Sequence, residues 1–261
     1  MRVSWKLGRV SGIDIFLHPT FFLILAFPQV TSGGYFGLAV VLASFGCVLL
    51  HELGHALMAR RFGIGTRDIT IYPIGGVARL ERMPRAPGAE LAIALAGPAV
   101  NLAIAGGLFG LGALGLFGPT LIESRVGFFA LNMIFVNMVL ALFNLIPAFP
   151  MDGGRVLRAL LSGWIGRMRA TYVAAQLGRG LAIVFGIYSL MNGMWIQIFL
   201  STFIYMAAGA ELASELASCH DRNDDGDDSG FWTAPPGYRW VSQGQGAWQL
   251  TPIRVRVQGR N

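Results

Sequence analysis

Two histidines and a glutamate stand together in an otherwise apolar stretch, in the order His51-Glu52-Leu53-Gly54-His55. On an α-helix, residues four apart lie on one face, so both imidazoles can reach one metal ion. In this HExxH pattern the two histidines bind zinc and the glutamate acts as general base. A pair of structural histidines would not account for the glutamate. We therefore predict a zinc site with Glu52 as its catalytic base.

A catalytic zinc ion usually takes three protein ligands and keeps one position open. The other two of the four histidines, His18 and His220, lie near the ends of the chain. Asp152 stands out among the acidic residues, because it follows a long apolar segment ending in proline and precedes two glycines. Such neighbours let the backbone bend and bring a carboxylate close. We predict Asp152 as the third ligand, with Cys47, one turn before His51, and His18 as alternatives.

Two motifs in this order resemble the site-2 protease family of intramembrane zinc metalloproteases, peptidase family M50. The first is HELGH at residues 51–55, and the second is Asn144-Leu-Ile-Pro147-Ala-Phe-Pro150-Met-Asp152-Gly153. The resemblance covers residues 10–215 and implies one zinc ion per chain. It implies that Glu52 activates water and that Asn144 and Pro147 shape the substrate channel. The implied metal ligands are His51, His55 and Asp152.

The composition is that of a membrane protein. Hydrophobic residues make up 54% of the 261 residues and charged residues only 13%, which is more apolar than a soluble domain of this size requires. The net charge of +6 comes from arginines beside apolar segments, so we do not expect nucleic-acid binding. The two cysteines lie far apart and imply no disulfide framework.

Six apolar segments are long enough to cross a bilayer. They are residues 13–30, 36–59, 90–117, 126–146, 171–190 and 194–212. We therefore predict an all-α polytopic membrane protein with about six transmembrane helices, in a metalloprotease domain over residues 1–217. Residues 153–170 carry four arginines and are interpreted as an amphipathic surface segment.

A small membrane-associated β-hairpin is predicted between the second and third helices. Residues 68–80 alternate with period two and are interrupted by Gly75 and Gly76. The hairpin edge could pair with an extended substrate, so both glycines are predicted substrate-binding residues; the alternative is a plain connector. Asn101, in the third helix, either contacts the site or the substrate, as its assignment to the substrate-binding residues assumes, or forms an interhelical hydrogen bond.

Basic residues predict the orientation in the membrane. The N-terminus and the loops after the second and fourth segments are rich in arginine, which favours the cytoplasmic side. We expect a multi-pass protein of the cell membrane with both termini in the cytoplasm and the zinc site toward that side.

The tail, residues 218–261, opens with an acidic run. Asp221 to Gly226 matches the start of a calcium-binding loop, but Trp232 stands where that loop requires glutamate. An acidic disordered linker is therefore predicted, followed by either a flexible segment or a small β-hairpin.

The predicted function is hydrolysis of a peptide bond within or next to the transmembrane segment of another membrane protein, as in regulated intramembrane proteolysis. The family implies a single-pass substrate of the anti-sigma-factor or remnant-signal-peptide type. The alternatives are an intramembrane zinc transporter or sensor and a non-catalytic scaffold that binds clients. Neither gives Glu52 a role, and the sequence shows no internal repeat of the transporter kind.

Overall fold

The computed structural model describes residues 4–26, 30, 33–73, 75–82, 84, 86–117, 124–224, 238–242 and 248–252. Two units can be distinguished, residues 1–211 and residues 212–261. The predicted acidic linker lies outside the described residues from residue 225 to residue 237. Residues 218–224, also predicted as linker, continue the last helix of the chain.

Six α-helices are described: α1 Gly34–Arg61, α2 Pro87–Ala113, α3 Arg125–Asn144, α4 Asp152–Ile165, α5 Arg167–Met191 and α6 Trp195–Asp224. Five of them, all except α4, are long and apolar enough to cross a membrane, with α6 counted as Trp195–Ala217. α2 is central to the first unit, because it packs against α1, α3 and α4.

The first apolar segment differs from the prediction of a membrane helix over residues 13–30. It forms strand β2, Ile13–Leu17, followed by a 3₁₀ helix, Pro19–Ala26. Ile13 and Ile15 are buried on one side of the strand, as expected from period-two alternation. The described part of the chain therefore contains five candidate membrane helices rather than six.

The β-structure is larger than the predicted hairpin. β3, Thr66–Tyr72, and β4, Gly75–Leu80, pair antiparallel within the stretch where the hairpin is predicted. β2 pairs parallel to β3, and β1, Trp5–Val10, pairs antiparallel to β2. The sheet order is β1-β2-β3-β4, so β4 is an edge strand.

Residues 13–26 run back along α1. Arg60, at the C-terminal end of α1, donates a hydrogen bond from Nη1 to the carbonyl of Ser11 at 3.2 Å. Further along the segment, the ring of Phe21 lies 4.9 Å from that of Phe45, near the middle of α1. Five strand residues at about 3.3 Å and eight 3₁₀ residues at about 2 Å extend roughly 32 Å, close to the thickness of a bilayer core.

A cluster of buried charges joins the helices at one end of the bundle. Both carboxylate oxygens of Glu90, on α2, are paired: one lies 2.6 Å from Arg158 Nη2 and the other 2.6 Å from Arg167 Nη1. Arg158 also reaches Glu211, on α6, at 3.3 Å. Charges removed from water are stable only when paired in this way.

The second unit contains a short antiparallel pair of strands, β5 Tyr238–Ser242 and β6 Trp248–Pro252. This pair lies in the region for which a small hairpin is one of the two predicted alternatives.

Candidate metal centre

His51 and His55 lie one turn apart on the buried face of α1. Their Nε2 atoms are 3.1 Å apart, and each residue is only 5% exposed. The other ring nitrogen of His55, Nδ1, lies 2.7 Å from the carbonyl oxygen of Ile93 on α2. Because a carbonyl only accepts, Nδ1 donates this hydrogen bond and Nε2 keeps its lone pair for a ligand.

Asp152 brings a carboxylate to the same point. It is the first residue of α4, and its Oδ2 lies 3.1 Å from His51 Nε2 and 3.0 Å from His55 Nε2. Burial raises the pKa of the Asp152 carboxyl, but the two imidazoles beside it outweigh that effect and hold the pKa well below its usual range. The group therefore stays ionised, the form in which it binds metals.

Glycine makes the approach of α4 possible. A Cβ added at Gly153 would lie 2.2 Å from the carbonyl oxygen of Ile146, and one at Gly154 would lie 2.6 Å from the backbone nitrogen of Phe149. Any larger residue at these two positions would move the start of α4, and Asp152 with it, away from the turn that follows α3.

The three converging atoms suit a zinc ion. Two imidazole nitrogens and one carboxylate oxygen are a usual catalytic donor set, and the three atoms lie close enough together to bind one ion. The space beside them is kept open by Gly97 on α2. A Cβ there would lie 2.2 Å from His55 Nε2 and 2.7 Å from His51 Nε2.

Glu52 points from α1 toward the sheet. Its Oε2 accepts a hydrogen bond of 3.0 Å from the backbone N–H of Ala78 in β4. Gly76 lies against the same side chain, since a Cβ at that residue would be 2.6 Å from Glu52 Cγ. The edge strand thus holds the carboxylate beside the metal centre.

A cavity of about 420 Å³ is lined by one of the three ligands, His51, and by Glu52. Its polar walls include His51, Glu52 and Asn144, with Gly75 and Gly76 on the strand side. Apolar side chains complete it, among them Leu140, Phe143, Met151, Leu200, Phe203 and Ile204. The cavity is therefore a largely apolar groove with a few polar groups at one wall.

The structure places two predicted substrate-binding residues away from this groove. Pro147 is exposed in the turn after α3 and does not line the cavity. Asn101 is fully buried behind His51, where its Oδ1 is hydrogen-bonded to His51 Nδ1 and its Nδ2 donates to Asn137 Oδ1 at 2.8 Å. The interhelical hydrogen bond considered for Asn101 is therefore present, and its other contact is with a metal-centre histidine.

The two alternative ligands lie elsewhere. His18 is hydrogen-bonded to Thr20 at 2.7 Å, and its ring lies 5.0 Å from that of Tyr72. Cys47 is buried and accepts a hydrogen bond from Asn137 at 3.2 Å. Neither belongs to the cluster of possible metal ligands found among the described residues.

Sequence reasoning did not single out Asn137 or Gly97. Asn137 is one of three asparagines in its helix, and no sequence pattern sets it apart, although it contacts the residue that is hydrogen-bonded to His51. The sequence does offer a clue to Gly97. It lies four residues before Asn101, so both residues lie on the same face of α2.

Comparison with known proteins identifies the family of this chain. The family model for peptidase family M50 matches residues 39–126 and 113–185, which together cover more than half of the chain. The chain belongs to peptidase family M50. A solved structure of the site-2 protease from Methanocaldococcus jannaschii matches 80% of this chain and 95% of its own, with 35% identity and a TM-score of 0.59.

Relatives within this family include a zinc metalloprotease of Methanocaldococcus jannaschii, 36% identical over 216 residues. That match covers 81% of this chain and 61% of the relative. Stage IV sporulation protein FB of Bacillus subtilis is 28% identical over 151 residues, 58% of this chain and 48% of the relative. The chain therefore spans less than two thirds of the length of these curated relatives.

Proposed function

We propose that this M50 protein is an intramembrane zinc metalloprotease with one zinc ion per chain. The observation that carries the proposal is the convergence of three ligand atoms beside Glu52, at the wall of a groove between apolar helices. The proposed ligands are His51, His55 and Asp152. Membership of family M50 and the match to a site-2 protease structure support it.

A bound zinc ion would supply the Lewis acidity that activates water and polarises the scissile carbonyl. Glu52 accepts a proton from the attacking water as the carbon–oxygen bond forms. It then delivers that proton to the nitrogen of the leaving amine as the carbon–nitrogen bond breaks. His51, His55 and Asp152 position the reacting groups, and the apolar groove limits access of bulk water.

The substrate is proposed to bind in an extended form along β4. β4 is the edge of the sheet, and the N–H of Ala78 points away from β3 toward Glu52. Because backbone groups alternate along a strand, Gly76 presents its N–H and carbonyl to the same edge. An extended segment can pair with such an edge, which places its peptide bonds along the groove that contains Glu52 and Asn144.

The proposed substrate is a single-pass membrane protein, cut within or next to its transmembrane segment. The apolar lining of the groove favours a segment of that composition. Helix-breaking residues in it would lower the cost of unwinding to the extended form.

A transporter is less consistent with the described residues. They contain one cluster of possible metal ligands, whereas a path across the membrane needs successive polar positions. Glu52 also accepts a hydrogen bond from the edge strand β4, which is not a further metal ligand along a transport path.

The test is zinc content and cleavage for three purified proteins reconstituted in liposomes with a single-pass substrate: wild type, Glu52→Gln and Asp152→Ala. We expect one zinc per wild-type chain, zinc kept but cleavage reduced at least about 100-fold in Glu52→Gln, and both lost in Asp152→Ala. Undiminished cleavage by Glu52→Gln would rule out Glu52 as the catalytic base. A zinc content of one ion per chain in Asp152→Ala would rule out Asp152 as the third ligand.

A further inference from the structure

His51 has a second ring nitrogen, Nδ1, that faces away from the metal centre. Asn101 Oδ1 is hydrogen-bonded to it, and Asn101 Nδ2 donates to Asn137 Oδ1 at 2.8 Å. Asn137 Nδ2 in turn lies 2.8 Å from the carbonyl oxygen of Met133 and 3.2 Å from Cys47 Sγ. We call Asn101 and Asn137 the amide relay. Both residues are fully buried.

The direction of each hydrogen bond in the relay follows from the Met133 carbonyl. A carbonyl only accepts, so the Asn137 atom that faces it must be the amide nitrogen. Asn137 then presents its oxygen to Asn101, which must donate with its own amide nitrogen. Asn101 is left to present its oxygen to His51. The Nδ1 of His51 must therefore carry a proton.

We propose that the amide relay fixes the tautomer of His51, with the proton on Nδ1 and the lone pair on Nε2. A neutral histidine binds a metal through its unprotonated nitrogen, and Nε2 is the atom that faces His55 and Asp152. Asn137 is thus a positioning residue for the metal centre although it touches none of the three ligands. The inference rests on the proposed zinc site.

His55 has the same tautomer without a relay, because its Nδ1 donates directly to the Ile93 carbonyl. The Nδ1 of His51 faces Asn101 instead, and the amide relay connects that nitrogen to the carbonyl of Met133 on α3. With both relay side chains at 0% exposure, bulk water does not reach them to supply a substitute acceptor.

The first test is nitrogen-15 NMR of protein labelled at its four histidines, in detergent, both zinc-loaded and stripped by a chelator. The proposal requires the His51 proton on Nδ1 in both forms, at a pH where the imidazole is neutral. A stripped wild type with the proton on Nε2 would overturn it. This readout does not depend on proteolysis, so a failure of the proposed activity leaves it intact.

The second test alters the relay at Asn137. Asn137→Leu removes the hydrogen bonds of Asn137 to Asn101, Met133 and Cys47 at similar volume, so we expect mixed His51 tautomers and a zinc dissociation constant raised about 10-fold. Asn137→Thr keeps a hydroxyl that can donate to the Met133 carbonyl and accept from Asn101, so the tautomer and the dissociation constant should return toward wild type.

The matched control is Asn132→Leu on the same helix, because Asn132 is half-buried and its side chain bonds within its own helix, to the Phe128 carbonyl at 2.8 Å. We expect wild-type zinc affinity from it. If Asn137→Leu lowers thermal stability but leaves the His51 tautomer and zinc affinity unchanged, the amides merely join α2 to α3 and the proposal is wrong.

Discussion

Gly97 contributes to the metal centre by having no side chain. In Gly97→Ala the added methyl group would stand 2.2 Å from His55 Nε2, so one of the ligands must move. We expect the zinc dissociation constant to rise at least about 10-fold, measured by competition with a chelator. Loss of helix stability cannot be the cause, because alanine is favoured over glycine in a helix by about 1 kcal/mol.

Gly106→Ala is the matched control, since Gly106 lies on the same helix with open space around its Cα. Its zinc affinity should equal that of wild type. Equal affinities for the Gly97 and Gly106 variants would contradict the view that Gly97 makes room for the ion.

At the residue scale, the sequence identifies groups that carry chemistry better than groups that orient them. The spacing of His51 and His55 and the setting of Asp152 lead to three residues that the structure brings together. Asn132 and Asn137 look alike in the sequence, yet Asn132 is half-buried and Asn137 is fully buried. A membrane helix is apolar on every side, so its pattern does not tell which side faces the protein.

At the element scale, β4 is expected to set the position of Glu52. Ala78→Pro removes the N–H that Glu52 accepts, and proline is tolerated in an edge strand when its N–H faces away from the ladder. We expect kcat to fall about 10-fold with zinc content unchanged. Ala78→Gly keeps the N–H and should retain most of the activity. Equal kcat values for the two variants would show that this hydrogen bond does not matter.

The buried charge cluster is expected to hold the helices together at one end. Arg158→Ala would leave the carboxylate of Glu90 without its 2.6 Å partner, and breaking such a buried pair typically costs about 3 kcal/mol. The free energy of unfolding, measured in a denaturing detergent, should fall by a similar amount. Arg169→Ala, at an exposed position of α5, should leave unfolding unchanged. Similar shifts for both variants would argue against a structural role for the cluster.

The first apolar segment shows where sequence patterns reach their limit at this scale. An apolar run does not by itself distinguish a buried strand from a helix. The partner that favours the strand, β3, lies about fifty residues further along the chain, as the pairing of Ile15 with Ile69 shows. Local sequence therefore could not reveal the parallel pairing that decides the structure of residues 13–17.

At the scale of the whole molecule, we expect residues 13–26 to cross the membrane in place of a sixth helix. Ser11 lies beside Arg60 at the arginine-rich end of α1, so we expect Ser11 and the loop after α1 on the same side of the membrane. Cysteines introduced as Ser11→Cys and Arg82→Cys should react with an impermeant maleimide in inverted vesicles only. Asn192→Cys, between α5 and α6, should react in right-side-out vesicles only.

The single cysteines are introduced into a Cys219→Ser variant, so that Cys219 does not react with the maleimide. Cys47 is buried and is left in place. Labelling of positions 11 and 82 from opposite sides would contradict the arrangement. The arginine-rich N-terminus and the arginine-rich loop after α1 lie on the same side of the membrane only if residues 13–26 cross it. A count of membrane helices alone would not reveal this crossing.

The parallel pairing of β2 with β3 also constrains how the protein is made. β2 can pair with β1 as soon as both have left the ribosome, but its other edge must wait for residues 66–72. Until then its backbone groups would be unsatisfied in lipid, each at a cost of several kcal/mol. Residues 13–17 are therefore expected to reach their final pairing only after residues 66–72 have been made, when α1 is already complete.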